Sequence, residues 1–145
     1  MSEDNHSEAN REEQPLILIA DDDPDLRRLL QLQLETMNCR LIEANDGAKT
    51  LELILTEQPD LVILDVMMPE LTGWEILKYV RNKPELSHIG VLMLTGIGET
   101  LNELSSPMYG ADDYIDKPFK ASELVFKIRR VLSKRRRMQA SSPEA

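Results

Sequence analysis

The stretch LILIADDDPD, residues 16–25, runs five apolar residues directly into three carboxylates and a proline. A continuous apolar run of this length suits a strand buried on both faces, as in a parallel sheet covered by helices. Pro24 is tolerated in the first turn of a helix. The apolar residues after it, Leu26, Leu29, Leu30, Leu34 and Met37, recur at helical spacing. A strand over 16–20 therefore passes into a helix over 24–37 through an acidic turn. Asp21, Asp22 and Asp23 stand side by side in that turn, where like charges repel and destabilise the fold. The rest of the chain has to supply a counter-charge.

The same alternation continues outward. RLIEA (40–44) reads as a mixed strand, NDG (45–47) as a turn, and Ala48 to about Glu57 as a helix with Leu51, Ile54 and Leu55 inward. DLVILD (60–65) is a further apolar strand. After the loop VMMPEL, Thr72 and Glu75 have the spacing of a capping box and open a helix that reaches about Asn82. VLMLT (91–95) is the fourth strand, a weaker helix follows over 98–109, YID (114–116) is the fifth strand, and a fifth helix covers roughly 122–136. Strands alternating with helices imply right-handed crossovers and a parallel sheet covered on both faces, an α/β class. The first, third and fourth strands are continuously apolar, whereas RLIEA and YID mix polar residues in, as edge strands do. This distribution predicts the doubly wound order 2-1-3-4-5.

A chain of 145 residues with 41% hydrophobic content suits one domain around one core. No run approaches the roughly 20 apolar residues needed to cross a bilayer, and residues 1–14 are too polar for a signal peptide. These features predict a cytoplasmic protein without membrane insertion. The lone Cys39 has no internal disulfide partner and reads as a small core residue. The net charge of −9 is unevenly spread: residues 1–14 hold five acids and one Arg, whereas residues 127–145 hold seven bases and one acid. We read 1–14 as a disordered acidic tail, 15–136 as the domain and 137–145 as a second disordered tail. An acidic body argues against nucleic acid as a direct ligand. The basic run KIRRVLSKRRR keeps Ile128, Val131 and Leu132 at helical spacing, so it reads as a helix whose solvated basic end favours the dipole.

Ligands of an open parallel sheet bind at the carboxyl ends of its strands, beside the point where the strand order reverses. The first strand ends in Asp21 and Asp22, the third in Asp65, the fourth in Thr95, and the fifth leads to Lys117 and Pro118. Taken singly, each of these is an ordinary cap or turn residue. Together they bring three carboxylates, a hydroxyl and an ammonium to one edge. Hard oxygen ligands with room for waters suit Mg²⁺. Lys117 would compete with that cation and is better explained as the partner of an anion that joins it, such as a phosphoryl group, to which Thr95 could also donate. A carboxylate beside such a metal can itself accept the phosphoryl group.

The stretches ILIADDDPDLRRLL, DLVILDVMMPELTGWEIL, VLMLTG and GADDYIDKPF, in that order, resemble the receiver domain of a two-component response regulator, and the resemblance covers residues 15 to about 133. It implies a flavodoxin-like fold with five helices. It also implies that Asp65 is the phosphoacceptor and that Asp22, Asp65 and the backbone carbonyl of Met67 bind Mg²⁺, with Asp21 acting through water. Lys117 would pair with the phosphoryl group, Thr95 would be the switch hydroxyl, and Tyr114 the aromatic that follows it inward. The Lys117–Pro118 bond would be cis and return the lysine to the site. Asp23 falls at a variable position and is expected to cap the following helix. The implied partners are a sensor histidine kinase or a histidine phosphotransfer protein, and a downstream protein target. The chain would promote only its own phosphorylation and dephosphorylation.

Other readings fit less well. An EF-hand starting at Asp21 would need Gly and Glu where Leu26 and Leu32 stand. A phosphatase of the haloacid dehalogenase type would use Asp21 and Asp23, with Asp21 as nucleophile, but would leave LDVMMP and DKPF unexplained. A receiver portion of a longer DNA-binding regulator is the remaining alternative. Met1 and the polar ending MQASSPEA favour a stand-alone switch. Ser105, Ser106 and Pro107 fall within the expected helix over 98–109 and predict that it is short or kinked, which weakens the usual dimer face. The apolar Met67 and Ile97 flank the site and are expected to hinder water's attack on an aspartyl phosphate. Making both polar should shorten the phosphoryl half-life, followed by loss of label; an unchanged half-life would contradict the reading.

Overall fold

The computed structural model describes residues 14–96 and 110–140. Its elements are β1 (Leu16–Ala20), α1 (Pro24–Gln33), β2 (Arg40–Ala44), α2 (Gly47–Glu57), β3 (Leu61–Asp65), α3 (Gly73–Arg81), a single 3-10 turn (Pro84–Leu86), β4 (Gly90–Thr95), β5 (Asp113–Asp116) and α4 (Ala121–Ala140). The strands form one sheet in the order β2-β1-β3-β4-β5, every pair parallel, as the apolar and mixed strands predict. Every residue of β1, β3 and β4 is buried, whereas β2 and β5 expose Arg40, Glu43 and Asp116. Alternate side chains point to opposite faces. Leu18, Val62, Leu64 and Met93 pack with Ile54 of α2 and with Ile76, Leu77 and Val80 of α3. Ile17, Ile19, Ile63, Leu92 and Leu94 pack on the other face with Leu30 of α1 and with Leu124, Ile128 and Val131 of α4.

Local signals start the helices where expected. The Asp23 carboxylate accepts from the Asp25 N–H at 2.9 Å and caps α1. At α3 the Thr72 hydroxyl accepts from the Glu75 N–H at 3.3 Å and the Glu75 carboxylate accepts from the Thr72 N–H at 2.8 Å, a complete capping box. Four helices lie among the described residues. The one expected over 98–109, with Ser105, Ser106 and Pro107, lies outside them, as do Ile97 and residues 1–13 and 141–145.

Two helix ends differ from expectation. α1 stops at Gln33 rather than Met37, because the chain must turn back to Arg40, whose N–H bonds the Pro15 carbonyl at 2.9 Å. Tighter bonds, Glu35 N–H to Leu32 O and Met37 N–H to Leu34 O, make this turn while keeping Leu34 and Met37 in the core. α4 runs to Ala140, so residues 137–140, assigned to a tail, continue the helix. No Gly or Pro occurs between Ala121 and Ala140, and Arg137 donates to the Ser133 hydroxyl one turn back.

The basic run is also less solvated than expected. Arg135 Nη2 lies 2.8 Å and Lys134 Nζ 3.1 Å from Asp112 Oδ1, while Arg81 Nη2 and the Val91 N–H each donate to Oδ2 at 2.9 Å. Burial alone would raise the pKa of Asp112, but the Arg135 hydrogen bond, the Val91 N–H and the two guanidinium charges hold it below the ordinary carboxylate value. Arg81 further donates to the carbonyls of Gly110 and Ile89, and Arg135 to that of Ser87. These bonds tie α3, β4, β5 and α4 together at the amino ends of the strands.

At the opposite, carboxyl end, α3 begins directly against β3. A Cβ on Gly73 would lie 2.3 Å from the Asp65 carbonyl oxygen, so only glycine permits this approach. Gly73→Ala should therefore destabilise the protein by about 1–3 kcal/mol in urea unfolding; an unchanged midpoint would show that the helix start can give way.

Candidate functional site

Because the sheet is parallel, β1, β3, β4 and β5 deliver their carboxyl ends to one edge. Asp21, immediately after β1, is fully buried and held on three sides. Its N–H donates to the Ala44 carbonyl at 3.2 Å, its carbonyl accepts from Arg27 Nη1 at 2.7 Å, and its Oδ1 accepts from the Asp23 N–H at 2.9 Å. Asp65 ends β3 and is 4% exposed. Its Oδ1 lies 3.3 Å from Lys117 Nζ and accepts from the Met67 N–H, also at 3.3 Å. Lys117 Nζ is 3.6 Å from Asp21 Oδ2, an ion pair too long to be a hydrogen bond. The Lys117–Pro118 peptide bond is cis.

Asp21, Asp22 and Asp65 each bring a carboxylate oxygen within 4.8 Å of the others. The structure therefore assembles three of the sequence-predicted acids and adds Lys117 to them. Asp23 stays apart as the cap of α1, as expected. Thr95, wholly buried, reaches the same edge, and its hydroxyl lies 3.4 Å from the Ile115 carbonyl and bonds the Asp116 carboxylate. Tyr114, two residues earlier on β5, is half-buried and packs against the α2–α3 side of the core. Sequence reasoning passed over Asp116 and Arg27. Asp116 stands opposite Thr95 in the β4–β5 register, which only the strand pairing reveals.

The electrostatics are those of a site short of positive charge. Burial, then the charge of Asp21, pushes the Asp65 carboxyl from the ordinary 3.8 up to about 6, against the lowering effect of Lys117 and the Met67 N–H. Asp21 is also raised, by burial first, although the Asp23 N–H and Lys117 oppose it. Burial alone would lower the pKa of Lys117, but the charges of Asp65 and Asp21 outweigh it and raise that pKa. Among the described residues Asp21 Oδ2 is buried and accepts no hydrogen bond. An acceptor oxygen left unpartnered beside the buried Asp65 and the exposed Asp22 fits a hard divalent cation whose bound waters can donate to it.

These shifts fix a pH dependence. Between about pH 4 and 6 folded Asp65 keeps a proton that the unfolded chain releases, so stability declines as pH rises through that window and stays lower above it. In the metal-free protein Asp65→Asn should therefore gain about 1–3 kcal/mol at pH 8 and much less at pH 4 in urea unfolding. An equal effect at both pH values would contradict the raised pKa of Asp65.

Comparison with known proteins places the fold in a family. A family model described as "Response regulator receiver domain" matches residues 17–129. The chain is 36% identical over 126 residues to a probable transcriptional regulator ycf27 of Guillardia theta, covering 87% of this chain and 48% of that protein. It is 37% identical over 118 residues to the DNA-binding dual master transcriptional regulator RpaA of a Synechocystis species, covering 81% and 49%. The solved structure of a putative response regulator from Chloroflexus aurantiacus is 32% identical, with a TM-score of 0.78 over 83% of this chain and 99% of that one. The chain thus spans about half the length of the curated relatives it matches. These relatives overturn the expectation that nucleic acid lies outside the protein's sphere, since they are transcriptional regulators and RpaA is described as DNA-binding. The acidic charge behind that expectation describes one domain and does not limit what a longer regulator containing such a domain binds. With five parallel strands in the order 2-1-3-4-5 and a family match over residues 17–129, the chain belongs to the response regulator receiver domain family, whose members are signalling proteins rather than turnover enzymes.

Proposed function

We propose that the protein is a phosphorylation switch in which Asp65 accepts a phosphoryl group from a phosphohistidine of a sensor kinase or phosphotransfer protein. The observation that carries this reading is the Asp65 carboxylate itself: buried at a strand end, 3.3 Å from Lys117 Nζ, and clustered with Asp21 and Asp22. A carboxylate oxygen of Asp65 forms the new bond to phosphorus, while the bond to the donor breaks and the donor leaves with its electron pair. Asp22, Asp65 and the Met67 backbone carbonyl would hold Mg²⁺ directly and Asp21 would hold it through water. Once bound, the ion offsets the charge of the carboxylates and of the phosphoryl oxygens.

Lys117, already between Asp65 and Asp21, pairs with the incoming anion. Thr95 then exchanges its bonds to β5 for the phosphoryl group, and Tyr114 on the same strand moves with it. Among the described residues no helix is long and apolar enough to cross a membrane. The relatives' roles as transcriptional regulators, and their roughly double length, favour transcription as the output, with this chain as the receiver portion of a DNA-binding regulator.

Incubation with a small acyl phosphate and Mg²⁺ tests the assignment. Label should appear on the protein, vanish in Asp65→Asn and without Mg²⁺, and survive in Asp23→Asn. Undiminished labelling of Asp65→Asn would reject Asp65 as acceptor. Labelling that instead requires Asp21 as the acylated residue would favour the phosphatase chemistry.

A further inference from the structure

Asp22 poses a problem that the cluster alone does not solve. It is exposed, and its side chain makes no hydrogen bond or ion pair among the described residues, yet its carboxylate lies within 4.8 Å of those of Asp21 and Asp65, which repel it. Whatever keeps it there has to act through the backbone. The peptide unit that joins Asp21 to Asp22 is planar, so fixing the Asp21 carbonyl also fixes the Asp22 N–H and the direction in which its Cα leaves. That carbonyl accepts from Arg27 Nη1 at 2.7 Å. Arg27 lies one turn inside α1, is only 17% exposed along its side chain, and is itself anchored, since its Nε donates to Glu43 Oε1 of β2 at 2.9 Å. Gln31, one turn further along α1, holds the other oxygen of Glu43. The guanidinium thus joins the acidic turn to the edge strand through two of its five donors, a geometry that a lysine cannot reproduce.

We infer that Arg27 is a positioning residue for the cation site: by pinning the Asp21–Asp22 peptide it holds the Asp22 carboxylate where a divalent cation can be shared with Asp65. Arg27 does not touch the cation. It sets how much reorganisation binding requires, and thereby the metal concentration at which the switch can be charged. This inference rests on the proposed Mg²⁺-dependent phosphorylation of Asp65, and the experiment separates the two.

The full chain and its Arg27→Gln, Arg27→Lys and Glu43→Gln variants are titrated with Mg²⁺ alone by calorimetry. Each is then labelled with an acyl phosphate across a Mg²⁺ series, and urea midpoints confirm that each variant is folded. Arg27→Gln should weaken Mg²⁺ binding about tenfold. It should raise the Mg²⁺ concentration for half-maximal labelling by the same factor and leave the rate at saturating Mg²⁺ near that of the parent. Arg27→Lys should recover only part of the affinity, and Glu43→Gln should lose less than Arg27→Gln. Unchanged Mg²⁺ affinity in a folded Arg27→Gln would overturn the inference. So would a loss confined to the saturated rate, which is what general loosening of the fold produces. If the parent protein binds no Mg²⁺ at all, the reading of the site fails instead.

Discussion

Among the described residues, three carboxylates within 4.8 Å of one another, against a single ammonium, set the electrostatic problem around which this end of the molecule is built. Ionising Asp21 and Asp65 together costs about 3 kcal/mol at the effective dielectric of protein sites. The surroundings offset part of that. The Asp23 and Met67 N–H groups bond the two buried carboxylates, and Lys117 stands between them. Arg27 holds the turn from behind. Burial, together with the repulsion left uncompensated, raises the Asp65 pKa to about 6, and among the described residues a buried Asp21 oxygen has no donor. Residual charge of this kind destabilises the fold, and in the proposed function it would draw in a cation, which with Lys117 would then hold an anion.

The two ends of the sheet treat a buried acid in opposite ways. At the amino ends of the strands Asp112 meets Arg81, Lys134, Arg135 and a backbone N–H, and its pKa falls despite burial. At the carboxyl ends Asp65 has one ammonium and an acidic neighbour, and its pKa rises. The first arrangement is saturated and joins four elements. The second is short of positive charge and lies where the helices start, with Gly73 letting α3 approach the Asp65 backbone closely. Charge is thus compensated at one end of the same strands and left incompletely compensated at the other.

The fold was largely legible because hydrophobic patterning acts locally. LILIA and LVIL are apolar throughout and lie inside the sheet, while RLIEA exposes Arg40 and Glu43 at its edge. The acids were legible for a related reason, since a strand fixes where the residue at its end must emerge. Contacts between segments far apart in sequence were not. The basic run could be read as a helix face, but nothing in it announces that Arg135 and Lys134 meet Asp112, more than twenty residues earlier. Nothing in the sequence marks Arg27; its bond to the Asp21 carbonyl depends on how α1 is set down beside β2. The early end of α1 likewise follows from the demand of β2 for Arg40, not from the residues of the helix.

A bound cation should relieve the charge left over among Asp21, Asp22 and Asp65. Following the thermal unfolding midpoint of the full chain during a Mg²⁺ titration tests it most directly, because a ligand bound only by the folded state must stabilise that state by mass action. The midpoint should climb with Mg²⁺ in the parent protein and stay flat in Asp22→Asn. A midpoint in the parent that does not move with Mg²⁺ would contradict it.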